Sequence, residues 1–281
     1  MIEARTKGEA RAAIAEARAR GGGPIAFVPT MGALHEGHLT LVDAARERAG
    51  FVVLSIYVNP LQFGPAEDLA RYPRDLERDA RLAAERGVDL LFAPTDAEMY
   101  PAGEPVVRVS PGPLGDRLCG AFRPGHFEGV LTVVAKLFNI VGPDVAVFGQ
   151  KDYQQAVLIR RMVTDLDMPI EIVVAPVVRE PDGLAMSSRN AYLTGDARER
   201  ARSLSAGLVA AANAYRDGER SAAGLTGLVR AAIERAGGRT QYVELVEPDT
   251  LAPLEAAAPG SVLAVAAFID GTRLIDNIVL T

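Results

Sequence analysis

One cysteine, no tryptophan and three histidines in 281 residues leave few chemistries open. With Cys119 alone, no intramolecular disulfide can form and no cysteine cluster can hold a structural zinc, so a reducing, cytoplasmic setting is the expectation. Apolar runs stay well short of the roughly 18 residues needed to cross a bilayer, so no membrane partner is expected. Basic residues are outnumbered, 30 against 36 acidic ones, for a net charge of -6. That balance excludes broad electrostatic binding to nucleic acid, though it permits a local basic pocket. A secretory leader is not expected either. Residues 2–20 are charged throughout, from Arg5 to Arg20, and read as a surface helix ending at Gly21-Gly22-Gly23.

What remains is a globular composition. Hydrophobic residues make up 49% and charged residues 23%, and the length suits two domains. The first part alternates apolar strands with amphipathic helices. Strands are expected over 25–28, 51–58, 88–93, 144–148 and 170–178, with a further one over 106–109. Helices are expected over 37–49, 74–86, 128–141 and 153–165. Such alternation implies βαβ units and a mostly parallel, Rossmann-like sheet over residues 1–178. The texture changes at Arg179-Glu180-Pro181-Asp182-Gly183, a turn-rich connector. Helices over 196–216 and 221–236 precede apolar runs at 241–246, 262–269 and 273–280. Residues 179–281 therefore read as a smaller α+β domain.

Parallel sheets bind ligands beyond the carboxyl ends of their strands. Four polar clusters invite that placement: 29–38, 59–64, 149–155 and 186–190. The first three directly follow expected strands, and one shared site is the simplest account of all four. In Pro29-Thr30-Met31-Gly32-Ala33-Leu34-His35-Glu36-Gly37-His38, two of the three histidines lie three residues apart at a strand-to-helix junction. At that spacing both imidazoles share one helical face. A helix N-terminus offers backbone N–H groups and a positive dipole end, and Gly32 and Gly37 leave room for a phosphate. His-x-x-His is also a possible zinc pair, but His126, the remaining histidine, is far along the chain.

The other clusters fit the same chemistry. Gly149 ends a strand, and Lys151-Asp152 opens a helix where a cation can neutralise departing phosphate. Met186-Ser187-Ser188-Arg189-Asn190 sets two hydroxyls beside a guanidinium, as a phosphate-binding loop would. Gln62, in Asn59-Pro60-Leu61-Gln62-Phe63, can both donate to and accept from a hydroxy acid. Asp79, in a helix rich in both charges, is the candidate carboxylate for an ATP-bound Mg²⁺. No serine or cysteine nucleophile is evident. The residues alone leave two other readings open: transfer of AMP to a phosphate-bearing acceptor, and a nucleotide sensor without chemistry.

These segments, in this order, resemble pantothenate synthetases over essentially the whole chain. The resemblance includes Arg123-Pro124-Gly125-His126-Phe127-Glu128-Gly129-Val130, Tyr242-Val243-Glu244-Leu245-Val246 and Arg273-Leu274-Ile275-Asp276-Asn277. It implies a Rossmann-like domain, a C-terminal lid and a homodimer. It also implies condensation of pantoate with β-alanine, converting ATP to AMP and pyrophosphate through a pantoyl-adenylate. His35, His38, Lys151 and Arg189 match catalytic phosphate contacts, joined by Ser187 and Ser188. Met31, Gly149, Asp152, Val178 and Met186 match the nucleotide site. Gln62 and Gln155, again with Met31, match the pantoate site. Arg123 and His126 match a loop near the active site, with no role implied.

Overall fold

The computed structural model describes residues 1–65 and 67–281. Its larger sheet comprises β1 (Ile2–Ala4), β2 (Ile25–Thr30), β3 (Phe51–Ile56), β4 (Leu90–Phe92), β5 (Val145–Gly149) and β6 (Glu171–Ala175). The strands run in the order β1-β4-β3-β2-β5-β6, and every pair is parallel. The connecting helices are α1 (Lys7–Ala19), α2 (Glu36–Arg46), α3 (Leu76–Glu85), α4 (Asp96–Met99), α5 (Cys119–Phe122), α6 (His126–Val141) and α7 (Tyr153–Asp165). The Rossmann-like reading is borne out.

Strand alternation sorts the core. Ala26, Val28, Val52, Leu54, Val145 and Val147 pack on one face with Leu41, Val42 and Ala45 of α2 and Ala83 of α3. The opposite face carries Phe27, whose ring meets Phe138 of α6 edge-on. Residues one apart on a strand point to opposite faces, so both faces of β2 and β3 must be apolar. That requirement is why these strands read as continuous hydrophobic runs. From β2 the chain winds to β3 and β4 on one side, while β5 and β6 lie on the other. The carboxyl ends of β2 and β5 thus form the topological switch point.

The smaller sheet is antiparallel, in the order β7 (Arg239–Val246), β8 (Val262–Ile269), β9 (Thr272–Val279). Its core joins Val243, Leu263 and Val265 to Leu204, Leu208 and Ala211 of α9 (Ser203–Arg216) and Leu225, Val229 and Ile233 of α10 (Ala222–Arg235). A short helix, α8 (Asp196–Ala201), precedes α9. By packing, the chain divides into two compact units. The first holds Met1–Asp116, Gly120–Gly149 and Leu158–Ala175; the second holds Arg117–Cys119, Gln150–Val157 and Pro176–Thr281.

Three expectations need correction. The stretch 2–20 is not one helix: Ile2–Ala4 pairs with Leu90–Phe92 as β1. The helix begins only at Lys7, after Thr6 and Glu9 close a capping box. The run 106–109 forms no strand, and Val106 and Val107 are 100% and 85% exposed. The single helix expected over 196–216 is two, meeting at Arg202.

Candidate active site

The polar loop after β2 is held from below. Thr30 Oγ1 donates to the Ser55 carbonyl (2.8 Å) and accepts from Gly32 N (3.1 Å), which anchors the strand end to β3. Asp79 then takes the loop: its two carboxylate oxygens accept from Ala33 N at 2.7 Å and Leu34 N at 2.8 Å. Gly32 sits at φ +82°, and a Cβ there would stand 3.0 Å from both Asp79 Oδ2 and Ile56 Cγ2. Glycine is therefore required by conformation and by space. Beyond this bend His35 occupies the N-cap position of α2, and its ring stacks on that of His38 with centroids 4.0 Å apart. The shared face expected from the spacing is realised.

Gln62 closes the 3-10 turn Pro60–Gln62 that follows β3. Its Oε1 accepts from Asn59 Nδ2 (3.1 Å) and its Nε2 points at Met31 Sδ (3.2 Å). Met31 and Gln62, thirty-one residues apart, are therefore neighbours. A thioether is a weak acceptor, which leaves the Gln62 amide available to a stronger one. Gly149 is the last residue of β5.

In the second unit, Gln150–Asp152 form a 3-10 turn, and Lys151 Nζ lies 3.6 Å from Asp152 Oδ2. Asn277 of β9 brackets the main chain of this turn. Its Nδ2 donates to the carbonyls of Gln150 and Lys151, both at 3.0 Å, while Gln150 Nε2 donates to its Oδ1 at 3.1 Å. Asp276, next to it, accepts a bidentate pair from Arg179 at 2.7 and 3.0 Å. Met186 N donates to the Val178 carbonyl (2.9 Å), so these two expected residues meet. Ser187 caps a 3-10 turn over Ser188–Tyr192 and accepts from Arg189 N at 3.3 Å. Asn190 ties that turn to Glu180 at 2.9 Å, and Glu180 in turn pairs with Arg198 at 2.7 Å. Gln155 is half-buried near the start of α7.

One expected residue, Asp79, has another task, and Cys119, expected to be inert, is a packing element. Asp79 is 1% exposed and both of its oxygens are committed to backbone N–H groups. Those contacts do not fit a Mg²⁺ ligand, which needs a carboxylate oxygen turned to the metal. Among the described residues, no group of three or more His, Cys, Asp or Glu is placed to hold a metal ion. Cys119 is buried, with Sγ 3.2 Å from both Tyr242 Oη and Arg273 Nη2. Burial, followed by the neighbouring Cys119, raises the Tyr242 phenol well above its ordinary value, so the group is a neutral packing element.

A family model for pantoate–β-alanine ligase matches residues 3–279. The chain belongs to the pantoate–β-alanine ligase family. Its relatives include pantothenate synthetase 1 of Bradyrhizobium diazoefficiens, 58% identical over 92% of this chain and 90% of that one. The pantothenate synthetase of Moorella thermoacetica is 56% identical over 95% and 94%. The crystal structure of pantothenate synthetase from Thermus thermophilus superposes with a TM-score of 0.94 at 48% identity, covering 100% of this chain and 99% of that one. The pantoate–β-alanine ligase of Francisella tularensis, solved with β,γ-ATP and β-alanine, gives 0.82 at 33% identity over 99% and 97%.

Membership in the ligase family bears out the expected activity: the chain is an enzyme that joins pantoate to β-alanine at the expense of ATP. Among the described residues, no helix is long and apolar enough to cross a membrane. What motif reading missed is the scaffolding. Asn59, Asp79, Asp276 and Asn277 are all buried polar side chains that hold the candidate site loops. The one signal available was polarity inside apolar patterns, as where Asp276-Asn277 interrupts β9.

Proposed function

We propose that catalysis runs in two steps on the residues placed above. A carboxylate is a poor electrophile because its leaving group would be oxide. Attack of the pantoate carboxylate oxygen on the α-phosphorus of ATP forms the acyl-adenylate and expels pyrophosphate. The amine of β-alanine then attacks the acyl carbon, the C–O bond to phosphate breaks, and AMP leaves. The amine loses its proton on forming the amide. No covalent enzyme intermediate is needed, so the protein's work is positioning and charge neutralisation.

His35 and His38 hold phosphate oxygens at the N-terminus of α2, and Lys151, Arg189, Ser187 and Ser188 hold others. Gly149, Asp152, Val178 and Met186 seat the nucleotide, and Met31, Gln62 and Gln155 seat pantoate. Mg²⁺ arrives as the counter-ion of ATP and supplies neutralising charge there; Asp79 is not its ligand. Residues 179–281 act as a lid that keeps water from the mixed anhydride. The active form is a homodimer in the cytoplasm, a setting supported by the lone buried Cys119.

The observation that carries the acid half is the Met31–Gln62 contact, which puts a weakly held amide beside the histidine loop. A nucleotidyltransferase acting on a phosphate-bearing acceptor would want a cation there instead. The test measures AMP formation with ATP, pantoate and β-alanine, omitting each in turn. Pantothenate should form only with all three, and AMP release that ignores β-alanine would overturn the ligase reading.

A further inference from the structure

Gln62 is gripped by its main chain. The turn Pro60–Gln62 rests on the first turn of α6, where a Cβ on Gly129 would stand 2.3 Å from the Leu61 carbonyl oxygen and 2.7 Å from Gln62 N. Asn59 ties the two together by donating to the Gly129 carbonyl at 3.1 Å. From the other side, the Gln62 carbonyl oxygen lies 2.8 Å from His126 Nδ1 and accepts from Arg123 Nη2 at 3.3 Å. Arg123 is itself oriented by Glu67, through Nε to Oε1 at 2.7 Å and Nη2 to Oε2 at 2.5 Å. Its third nitrogen, Nη1, faces His126 Nε2 at 2.8 Å.

Donor counting fixes the imidazole. A guanidinium can only donate, so His126 Nε2 accepts and carries no proton. A carbonyl oxygen can only accept, so Nδ1 carries the proton and donates it to Gln62. One protonation state satisfies both contacts: the neutral Nδ1–H tautomer. A second proton on Nε2 would set N–H against N–H at 2.8 Å beside a cation. Glu67 keeps the arrangement charged in the right sense. Burial pushes its carboxyl up, and the Arg123 hydrogen bond and charge lead the effects that hold it below the usual range, ahead of the Gly64 N–H and of any charge on His126.

We propose that Arg123, Glu67 and neutral His126 are positioning residues that clamp the Gln62 main chain and so set the amide that reads pantoate. The clamp rests on the assignment of Gln62 to pantoate made above. None of the three touches substrate in this scheme. Its charged members reach His126 from two segments, Arg123 from the loop before α6 and Glu67 from the segment after the Pro60–Gln62 turn.

The test compares equilibrium binding of pantoate and of ATP, each alone, in the parent and in Gln62→Ala, Glu67→Gln, His126→Ala and His126→Asn. The first three variants should each weaken pantoate by about tenfold, the scale of one hydrogen bond, and shift ATP by less than about twofold. His126→Asn should recover most of the loss, because its Nδ2 can donate where Nδ1 did. Nitrogen chemical shifts of His126 in the parent enzyme should show the Nδ1–H tautomer whether or not the variants fold.

Three results would overturn the clamp. If Gln62→Ala alone weakens pantoate, Gln62 reads the acid but nothing clamps it. If pantoate and ATP weaken together, or His126 carries its proton on Nε2, the cluster only holds the fold. If Gln62→Ala leaves pantoate affinity intact, the assignment of Gln62 falls and the clamp falls with it.

Discussion

Asp79 accepts a 2.7 Å hydrogen bond from the backbone N–H of Ala33, a residue held at φ +50°. A non-glycine residue in that region costs about 1–3 kcal/mol, so it persists only where its surroundings over-determine it. The second bond, to Leu34, makes the carboxylate a two-point anchor for the turn that delivers His35.

Asp79→Asn replaces one acceptor oxygen by an N–H that faces another N–H. The loss should be about 1–3 kcal/mol of stability, the scale for a buried donor left unpaired. Turnover should fall as the histidine loop relaxes. Because the anchor is not a metal ligand, the Mg²⁺ concentration for half-maximal activity should stay where it is. A denaturation midpoint and a Mg²⁺ titration on the same sample check both halves. A large rise in the Mg²⁺ requirement would return Asp79 to the metal.

The bracket around the Lys151 turn gives a second prediction. Asn277 donates to two carbonyls, of Gln150 and Lys151, and is 2% exposed. Asn277→Asp keeps the shape but turns an acceptor on those oxygens and buries an unpaired charge. The expected destabilisation is about 3 kcal/mol, and the adenylation step should slow beyond what the stability loss explains. Comparison with Asn277→Ser, which removes the contacts without adding charge, separates the two effects. Equal adenylation rates in the folded fractions would detach the bracket from catalysis.

Much of this was legible and some was not, for physical reasons. The helix α7 runs Tyr153–Asp165 as its periodicity requires, and β8 matches its apolar run over 262–269. Long patterned segments announce themselves. The strand β1 did not, because three residues, two of them exposed, carry no pattern and the pairing with Leu90–Phe92 is remote in sequence. The stretch 106–109 shows the converse error: apolar and β-branched, but with no neighbour to pair with. The paired histidines were legible because their spacing and the flanking glycines are local. The anchors Asp79 and Asn277 were not, since each serves a loop 46 or 126 residues away.

Glu180 supplies a pH prediction. The Arg198 hydrogen bond holds its carboxyl below the usual value against the opposing effect of burial, and the Asn190 amide assists. A depressed folded pKa means that the unfolded state binds the proton more readily. The stabilisation is therefore present above the ordinary glutamate range of about 4.3 and is lost as pH falls through the lower folded value. Glu180→Gln should narrow the difference in denaturation midpoint between pH 7 and acid. A difference from the parent that is constant across that range would show the shift to be without weight.

The two-step chemistry itself can be isolated by leaving β-alanine out. Enzyme, ATP, Mg²⁺ and pantoate should then exchange labelled pyrophosphate into ATP, because formation of a held adenylate is reversible. The rate of that exchange reports stabilisation of the phosphorus transition state and nothing downstream. His38→Ala or Lys151→Ala should slow it by roughly 10²–10³-fold, the loss expected when one preorganised charge-stabilising donor is removed. His38 stacks on His35 at 4.0 Å, so its removal also loosens its neighbour, and the larger loss is expected there. Folding should survive, since Lys151 and His38 are both half-buried and the Lys151 turn is held through main-chain carbonyls by Asn277. Exchange that appears only after β-alanine is added would replace the adenylate with a concerted step. Exchange at the parent rate in both variants would remove the phosphate roles assigned here while leaving the family untouched.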